Sequence, residues 1–235
     1  KLFKDVIGQK DVCKSLQAIL KGKNAHGFIF TGPSGVGKTT LARIVAAKLG
    51  CHPKNLLEID AATHTGIDDM RQVAQQLQYK GLHGSEFRVA VVDEAHSLSK
   101  AAWQSLLKSV EEPPEHGAWI FCTTESGKIP DTISTRCVSF NLRPVRREEM
   151  FTFLQKIASE EKLGTNEKVL RAIAAASEGS PRRALSQLAA VGGCTDPDEA
   201  LELLSQCNED GDHVVSLCKA FMKGESWEKV SIILK

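Results

Sequence analysis

Gly32-Pro33-Ser34-Gly35-Val36-Gly37-Lys38-Thr39 lies between a run with strand composition, 26–31 (HGFIFT), and a run with apolar residues at helical spacing, 40–49 (TLARIVAAKL). The central stretch fits G-x-x-x-x-G-K-[ST]. Its glycines let the chain turn tightly enough for successive backbone N–H groups to surround phosphate oxygens, and the helix that follows offers the positive end of its dipole to the same anion. Lys38 adds a point charge for the β- and γ-phosphates, and Thr39 a hydroxyl for Mg²⁺. Strand, loop and helix in this order predict a nucleoside-triphosphate site with contacts from Gly32, Pro33, Ser34, Gly35, Val36, Gly37, Lys38, Thr39 and Thr40.

A second motif turns binding into hydrolysis. Arg88-Val89-Ala90-Val91-Val92 has the composition of a buried strand and runs into Asp93 and Glu94. An acidic residue at that carboxyl end holds Mg²⁺ through water in P-loop proteins, so Thr39 and Asp93 form the expected metal pair. Glu94, one residue on, faces the γ-phosphate side, where a carboxylate orients the attacking water or accepts its proton.

The rest of the composition is neutral in its message. With 30 basic and 29 acidic residues the net charge is +1, so no global field points to nucleic acid or a membrane, and any such contact has to be local. Seven cysteines (Cys13, Cys51, Cys122, Cys137, Cys194, Cys207, Cys218) are odd in number, scattered and free of C-x-x-C pairs. They read as reduced core thiols rather than a metal site. No apolar run approaches the ~18 residues of a membrane span, and Lys1-Leu2-Phe3-Lys4-Asp5 is no signal peptide, which points to the cytoplasm. The start at Lys1, without methionine, leads us to expect residues upstream.

Along its 235 residues the chain changes character once. Strand-like runs at 26–31, 55–59, 88–92, 118–122 and 137–141 alternate with helical ones, which predicts an α/β fold, a parallel sheet flanked by helices, over residues 1–142. Thr65-Gly66-Ile67-Asp68 reads as a capping box for a helix through Gln78, and Ser99 as the cap of a helix over 100–111 that Pro113-Pro114 stops. Beyond Leu142-Arg143-Pro144 only helical patterns follow, over 146–162, 166–177, 181–191 and 197–205, predicting a small all-helical domain over 143–205. Ser180-Pro181 and Thr195-Asp196-Pro197 mark helix starts, and Gly192-Gly193 a helix end. Residues 206–235 read as the helical opening of a third domain.

Further features narrow the P-loop class. Ile120-Phe121-Cys122-Thr123-Thr124 is a strand ending in hydroxyls, Ser134-Thr135-Arg136-Cys137 sets an arginine before the last strand, and Gly179-Ser180-Pro181-Arg182-Arg183-Ala184-Leu185 sets two more at a helix start. Asp5-Val6-Ile7-Gly8-Gln9 precedes the P-loop by a helix length. Together with Glu58-Ile59-Asp60-Ala61-Ala62, Thr65 to Arg71, Asp93-Glu94-Ala95-His96 and the run Leu106-Leu107-Lys108-Ser109-Val110-Glu111-Glu112-Pro113-Pro114, this set resembles the AAA+ ATPases and, within them, the clamp loaders. The likeness is to the gamma/tau motor subunits of bacterial DNA polymerase III, with some similarity to the small subunits of replication factor C.

The resemblance implies specific roles. Thr124 matches the sensor 1 residue, Arg136 the arginine finger that reaches a neighbouring subunit's nucleotide, and Arg182 the sensor 2 arginine, which also contacts nucleotide; Val6 and Ile7 lie near the adenine. It implies ATP and Mg²⁺ as cofactors, and as partners the other subunits of a pentameric ring, a sliding clamp and primer-template DNA bound without sequence preference. It implies no membrane partner and a bacterial cytoplasm, or a host cytoplasm for a viral homologue. Two departures stand out. The bacterial motor subunit usually carries a four-cysteine zinc module after the P-loop helix, and here only Cys51 stands there, so no zinc is expected. Thr135 separates Ser134 from Arg136 in a motif that usually reads S-R-C, although the step from Arg136 to Cys137 is kept.

DNA contact is less legible. By analogy with the family's spiral around DNA, Thr65 and Gly66 before one helix and Ser99 and Lys100 before another are candidates, with ordinary helix capping an equal reading. His64, His83 and His96 read as loop or helix-start residues without a catalytic part, since no Ser or Cys nucleophile pattern accompanies them. Trp103, Trp119 and Trp227 read as packing anchors, and Glu111 and Glu112 as a solvated helix end. The competing functions are another DNA-associated AAA+ ATPase, in recombination or remodelling, and a nucleotide-binding scaffold that barely hydrolyses.

Overall fold

The computed structural model describes residues 2–22, 25–82, 85, 87–192, 194 and 196–206, with Ser205 and Gln206 described by their backbone alone. The described residues divide into two compact units after Val145, rather than after Leu142.

The first unit is a five-stranded sheet in the order β2-β3-β4-β1-β5, built from β1 (Gly27–Thr31), β2 (Leu56–Asp60), β3 (Arg88–Asp93), β4 (Gly117–Thr123) and β5 (Val138–Asn141). Every adjacent pair is parallel. The strands occur where the apolar runs predict them, shifted by about one residue at their ends.

Because side chains alternate across a strand, β1, β3 and β4 each feed two cores. Phe28, Phe30, Val89, Val91, Ala118, Ile120 and Cys122 pack on one face against Leu16 of α1 (Lys10–Gly22) and Leu41, Ile44 and Val45 of α2 (Lys38–Lys48). Ile29, Ala90, Val92, Trp119 and Phe121 pack on the other against Met70, Val73 and Leu77 of α3 (Ile67–Gln78) and Trp103, Leu106 and Val110 of α4 (Lys100–Glu111). β4 is buried along its whole length, as the strand between two others in a covered sheet must be. Trp119 and Trp103 are packing anchors: Trp119 stacks on Phe121 with centroids 5.8 Å apart, and its indole N–H donates to Ser109 Oγ at 3.0 Å.

The caps decide where helices begin. Ser99 Oγ accepts from the Ala102 amide at 3.1 Å and starts α4. The capping box expected at Thr65 does not form; Gly66 is the N-cap of α3 and offers no side chain, leaving Asp68 and Asp69 in the first turn to complement the dipole. A short α5 (Asp131–Ser134) leads into β5.

The second unit holds α6 (Arg147–Glu160), α7 (Glu167–Ala176), α8 (Pro181–Val191) and α9 (Pro197–Gln206). α7 packs against the other three through Val169, Leu170, Ile173 and Ala174. Asn166 and Ser180 cap α7 and α8, and Asp196 accepts from the Asp198 amide at the start of α9. The expected roles of Gly193, Thr195, His83, Cys207, Cys218 and Trp227, and a third domain beyond α9, fall outside the described residues.

Candidate nucleotide-binding site

The loop between β1 and α2 is built by glycines at positions that admit nothing larger. Gly32 has φ +142°, and a Cβ there would stand 2.4 Å from the Leu142 carbonyl oxygen, where the chain leaves β5. Gly37 has φ +104°, the left-handed region that glycine reaches without steric cost, and caps α2, whose first turn closes with the Leu41 amide on the Gly37 carbonyl at 2.9 Å. Pro33 and Ser34 are exposed at the tip, and Val36 anchors the loop in the core.

Lys38 is only 6% exposed and folds back over the loop, its ammonium donating to the carbonyls of Gly32 at 2.9 Å and Pro33 at 3.0 Å. Thr39 donates its hydroxyl to Asp93 Oδ2 at 2.5 Å, joining the start of α2 to the end of β3. The other carboxylate oxygen of Asp93 accepts the Glu94 amide at 3.0 Å. A hydroxyl and a carboxylate in contact beneath a glycine loop are hard oxygen donors, which suit Mg²⁺ and a triphosphate. Behind them, burial and then the Asp93 charge push the Cys122 thiol up, so it stays neutral beside the site.

Glu94 sits at φ 48°, ψ 41°, a left-handed conformation rare for a residue with a Cβ, and begins a short 3₁₀ turn over Ala95–Ser97. Its Oε2 is buried without a hydrogen-bond partner, with His96 Nδ1 3.5 Å away. Thr123 closes β4 fully buried, whereas Thr124 is exposed at the same end of the sheet. Register across the sheet places Thr31 opposite Thr123 and Asp60 opposite Asp93, so the P-loop, Asp93 and the two threonines all stand at the carboxyl edge.

Arg136 follows α5. Its guanidinium donates to Glu111 Oε1 at 2.8 Å and to the Thr132 carbonyl at 2.7 Å, so Glu111 is a partner and not merely a solvated helix end. Val6 and Ile7 are half-buried, in a segment fixed by Gln9, which is 3% exposed, donates to the Arg143 carbonyl at 2.6 Å and accepts the Arg143 amide at 3.3 Å. In the second unit Arg182 is exposed in the first turn of α8, and Arg183 beside it pairs with Glu178 at 2.8 Å. Thr65, Gly66, Ser99 and Lys100 are all exposed. Among the described residues no three His, Cys, Asp or Glu side chains group as a metal site, and no helix is long and apolar enough to cross a membrane.

The sequence alone reads His96 as a loop residue without a catalytic part and shows neither the contact of Gln9 with Arg143 nor the Glu111–Arg136 pair. A histidine two residues after the acidic pair was the available signal for the first; the others join residues far apart in the chain and left none.

The family model described as DNA polymerase III, delta subunit, matches residues 54–146. DNA polymerase III subunit tau of Escherichia coli strain K12 is 33% identical over an alignment covering 98% of this chain and 42% of that protein. Subunit tau of Bacillus subtilis strain 168 is 36% identical over 79% of this chain and 37% of that protein, and subunit gamma of Buchnera aphidicola from Acyrthosiphon pisum 35% identical over 79% and 57%. The chain thus spans about half or less of the length of these relatives. Among solved structures, the Thermotoga maritima RuvB Holliday junction branch migration motor superposes with a TM-score of 0.75 at 23% identity, covering 92% of this chain and 76% of that one, a likeness of fold. By its relatives in sequence and by its P-loop AAA+ fold, the chain belongs to the gamma/tau family of DNA polymerase III subunits.

Proposed function

We propose that the chain is the core of an ATP-hydrolysing clamp-loader motor subunit, which couples ATP binding and hydrolysis to opening a sliding clamp and placing it on primed DNA. The observation that carries the reading is the Thr39–Asp93 contact under the glycine loop, with Glu94 next in line. Phosphoryl transfer to water needs positioning and charge neutralisation more than covalent chemistry. Thr39 and Asp93 would hold Mg²⁺, Asp93 through water, and the ion when bound neutralises charge on the β- and γ-phosphates.

The chain's own residues do the rest. Lys38 exchanges the neutral carbonyls of Gly32 and Pro33 for anionic phosphate oxygens, so its buried ammonium gains an opposite charge. The amides from Gly35 to Thr40 complete the cradle. Glu94 orients the attacking water and accepts its proton; Thr124 hydrogen-bonds the same water. Arg182 contacts nucleotide from the same chain, and Arg136 reaches the nucleotide of a neighbour in a pentameric ring. DNA is held without sequence preference at the exposed helix starts, through Thr65, Gly66, Ser99 and Lys100.

The test is the ATPase rate of the full-length protein with its partner subunits, clamp and primed DNA, beside Arg136→Ala. Strong stimulation that the variant abolishes supports the reading. A rate indifferent to DNA, clamp and Arg136 overturns it in favour of another AAA+ task or a scaffold.

A further inference from the structure

His96 lies at the centre of a small network that joins the ends of β3 and β4. Its side chain is 18% exposed, and its Nδ1 stands 3.2 Å from Thr123 Oγ1 and 3.5 Å from Glu94 Oε2, while Nε2 faces Glu125 Oε1 at 3.7 Å. The tautomer with its hydrogen on Nδ1 serves every neighbour at once. The Thr123 hydroxyl then gives its one proton to the Glu125 carbonyl at 3.3 Å, accepts the Glu125 amide at 3.0 Å and accepts from His96. In that tautomer the Nδ1–H lies within reach of both the Thr123 hydroxyl and Glu94 Oε2.

Glu94 needs such a donor. Its backbone is held in the left-handed region, a conformation that costs of order 1–3 kcal/mol and persists where the surroundings over-determine it. Its Oε2 is buried and lacks a hydrogen bond, although the side chain as a whole is 37% exposed, so the open side of the carboxylate is not Oε2. A buried carboxylate oxygen without a donor is unfavourable, and a small tilt of the imidazole is enough to move the N–H from Thr123 onto it.

From this geometry we infer that His96 is a positioning residue for Glu94: Nδ1–H holds Oε2 and leaves the other carboxylate oxygen for the attacking water. Thr123 is the resting partner of that N–H, and Glu125 steadies the ring from its far side. The inference rests on the reading of Glu94 as the residue that orients or deprotonates water.

The experiment measures kcat, KM for ATP and the affinity for a fluorescent ATP analogue in the full-length protein assembled with partner subunits, clamp and primed DNA. The variants are His96→Ala, His96→Asn, His96→Gln, Glu94→Gln and the double variant His96→Ala/Glu94→Gln. A displaced catalytic group costs on the order of 10²-fold, so His96→Ala is expected to lower kcat by about that factor with KM and affinity within about twofold. His96→Asn, whose amide N–H occupies the place of Nδ1–H, restores most of the rate, and His96→Gln, which occupies the place of Nε2, does not. The double variant turns over no more slowly than Glu94→Gln, because residues acting as one unit are not additive.

Native kcat in His96→Ala, a loss confined to KM or affinity, or a double variant slowed beyond Glu94→Gln overturns the inference while leaving Glu94 in place. Native kcat in Glu94→Gln removes the reading of Glu94 and the inference with it. If His96→Ala melts early, the pair His96→Asn and His96→Gln decides: Asn faster than Gln supports it, Gln equal or faster overturns it.

Discussion

Arg136 is held inside its own chain by Glu111, guanidinium to carboxylate at 2.8 Å, with Glu111 at the last turn of α4 and Arg136 just past α5. Side-chain exposures of 36% and 55% make this a surface pair, worth roughly 0–1 kcal/mol. A hold that weak costs little to break, as the proposed role of Arg136 at a neighbouring subunit's nucleotide requires. We expect Arg136→Ala to lower turnover of the assembled complex by ~10³-fold or more while the isolated chain binds nucleotide as before. Glu111→Gln should shift the melting temperature by no more than ~4 °C and turnover by no more than a few-fold, read by thermal melts and steady-state ATPase assays.

Lys38→Ala removes the ammonium that now bonds the Gly32 and Pro33 carbonyls. Charge-assisted hydrogen bonds contribute ~1.5–3 kcal/mol each, so titration with a fluorescent ATP analogue should show affinity falling by about 10- to 100-fold or more. An unchanged dissociation constant would place the phosphates elsewhere.

Gly32→Ala sets a methyl 2.4 Å from the Leu142 carbonyl oxygen at a backbone angle that side chains avoid. The clash is with backbone and cannot be relieved by a rotamer change. Strain and overpacking together should cost ~2 kcal/mol or more and lower the melting temperature by ~5 °C or more, measured by circular dichroism.

Ser109→Ala leaves the Trp119 indole N–H without its partner in a fully buried position. The expected loss is ~1–3 kcal/mol, visible in denaturant unfolding followed by tryptophan fluorescence, with nucleotide affinity unchanged.

Burial pushes the Cys137 thiol up to about 12 from 9.0, and Cys122 shifts in the same direction. A folded-state value above the unfolded one means that the unfolded chain releases its proton first as pH rises. The stabilisation is therefore complete below 9.0 and declines as pH climbs from there toward about 12. Thermal melts from neutral to alkaline pH should show this decline, and Cys137→Ala should make it shallower.

The apolar runs placed β1, β3 and β4 in advance, because a strand covered on both faces has to be apolar at nearly every position, and that is visible locally; the edge strands β2 and β5, with Glu58, Asp60, Ser139 and Asn141, were placed by alternation with the helical runs. The caps at Ser99 and Ser180 belong to the same class: each is a contact within three residues of its own helix. The capping box at Thr65 failed for a related reason, since Gly66 takes the cap and the acidic first turn of α3 supplies the compensation.

What the sequence determined by itself was the phosphate loop, the acidic pair and the sheet, since each depends on neighbours along the chain and on the period of its apolar residues. Only the tertiary structure decided that Thr39 touches Asp93, that Gln9 clips Arg143, that Glu111 holds Arg136, and that His96 faces both Glu94 and Thr123. These contacts join residues from different elements, and a polar side chain shows its partner only once packing has brought the two together at hydrogen-bond range.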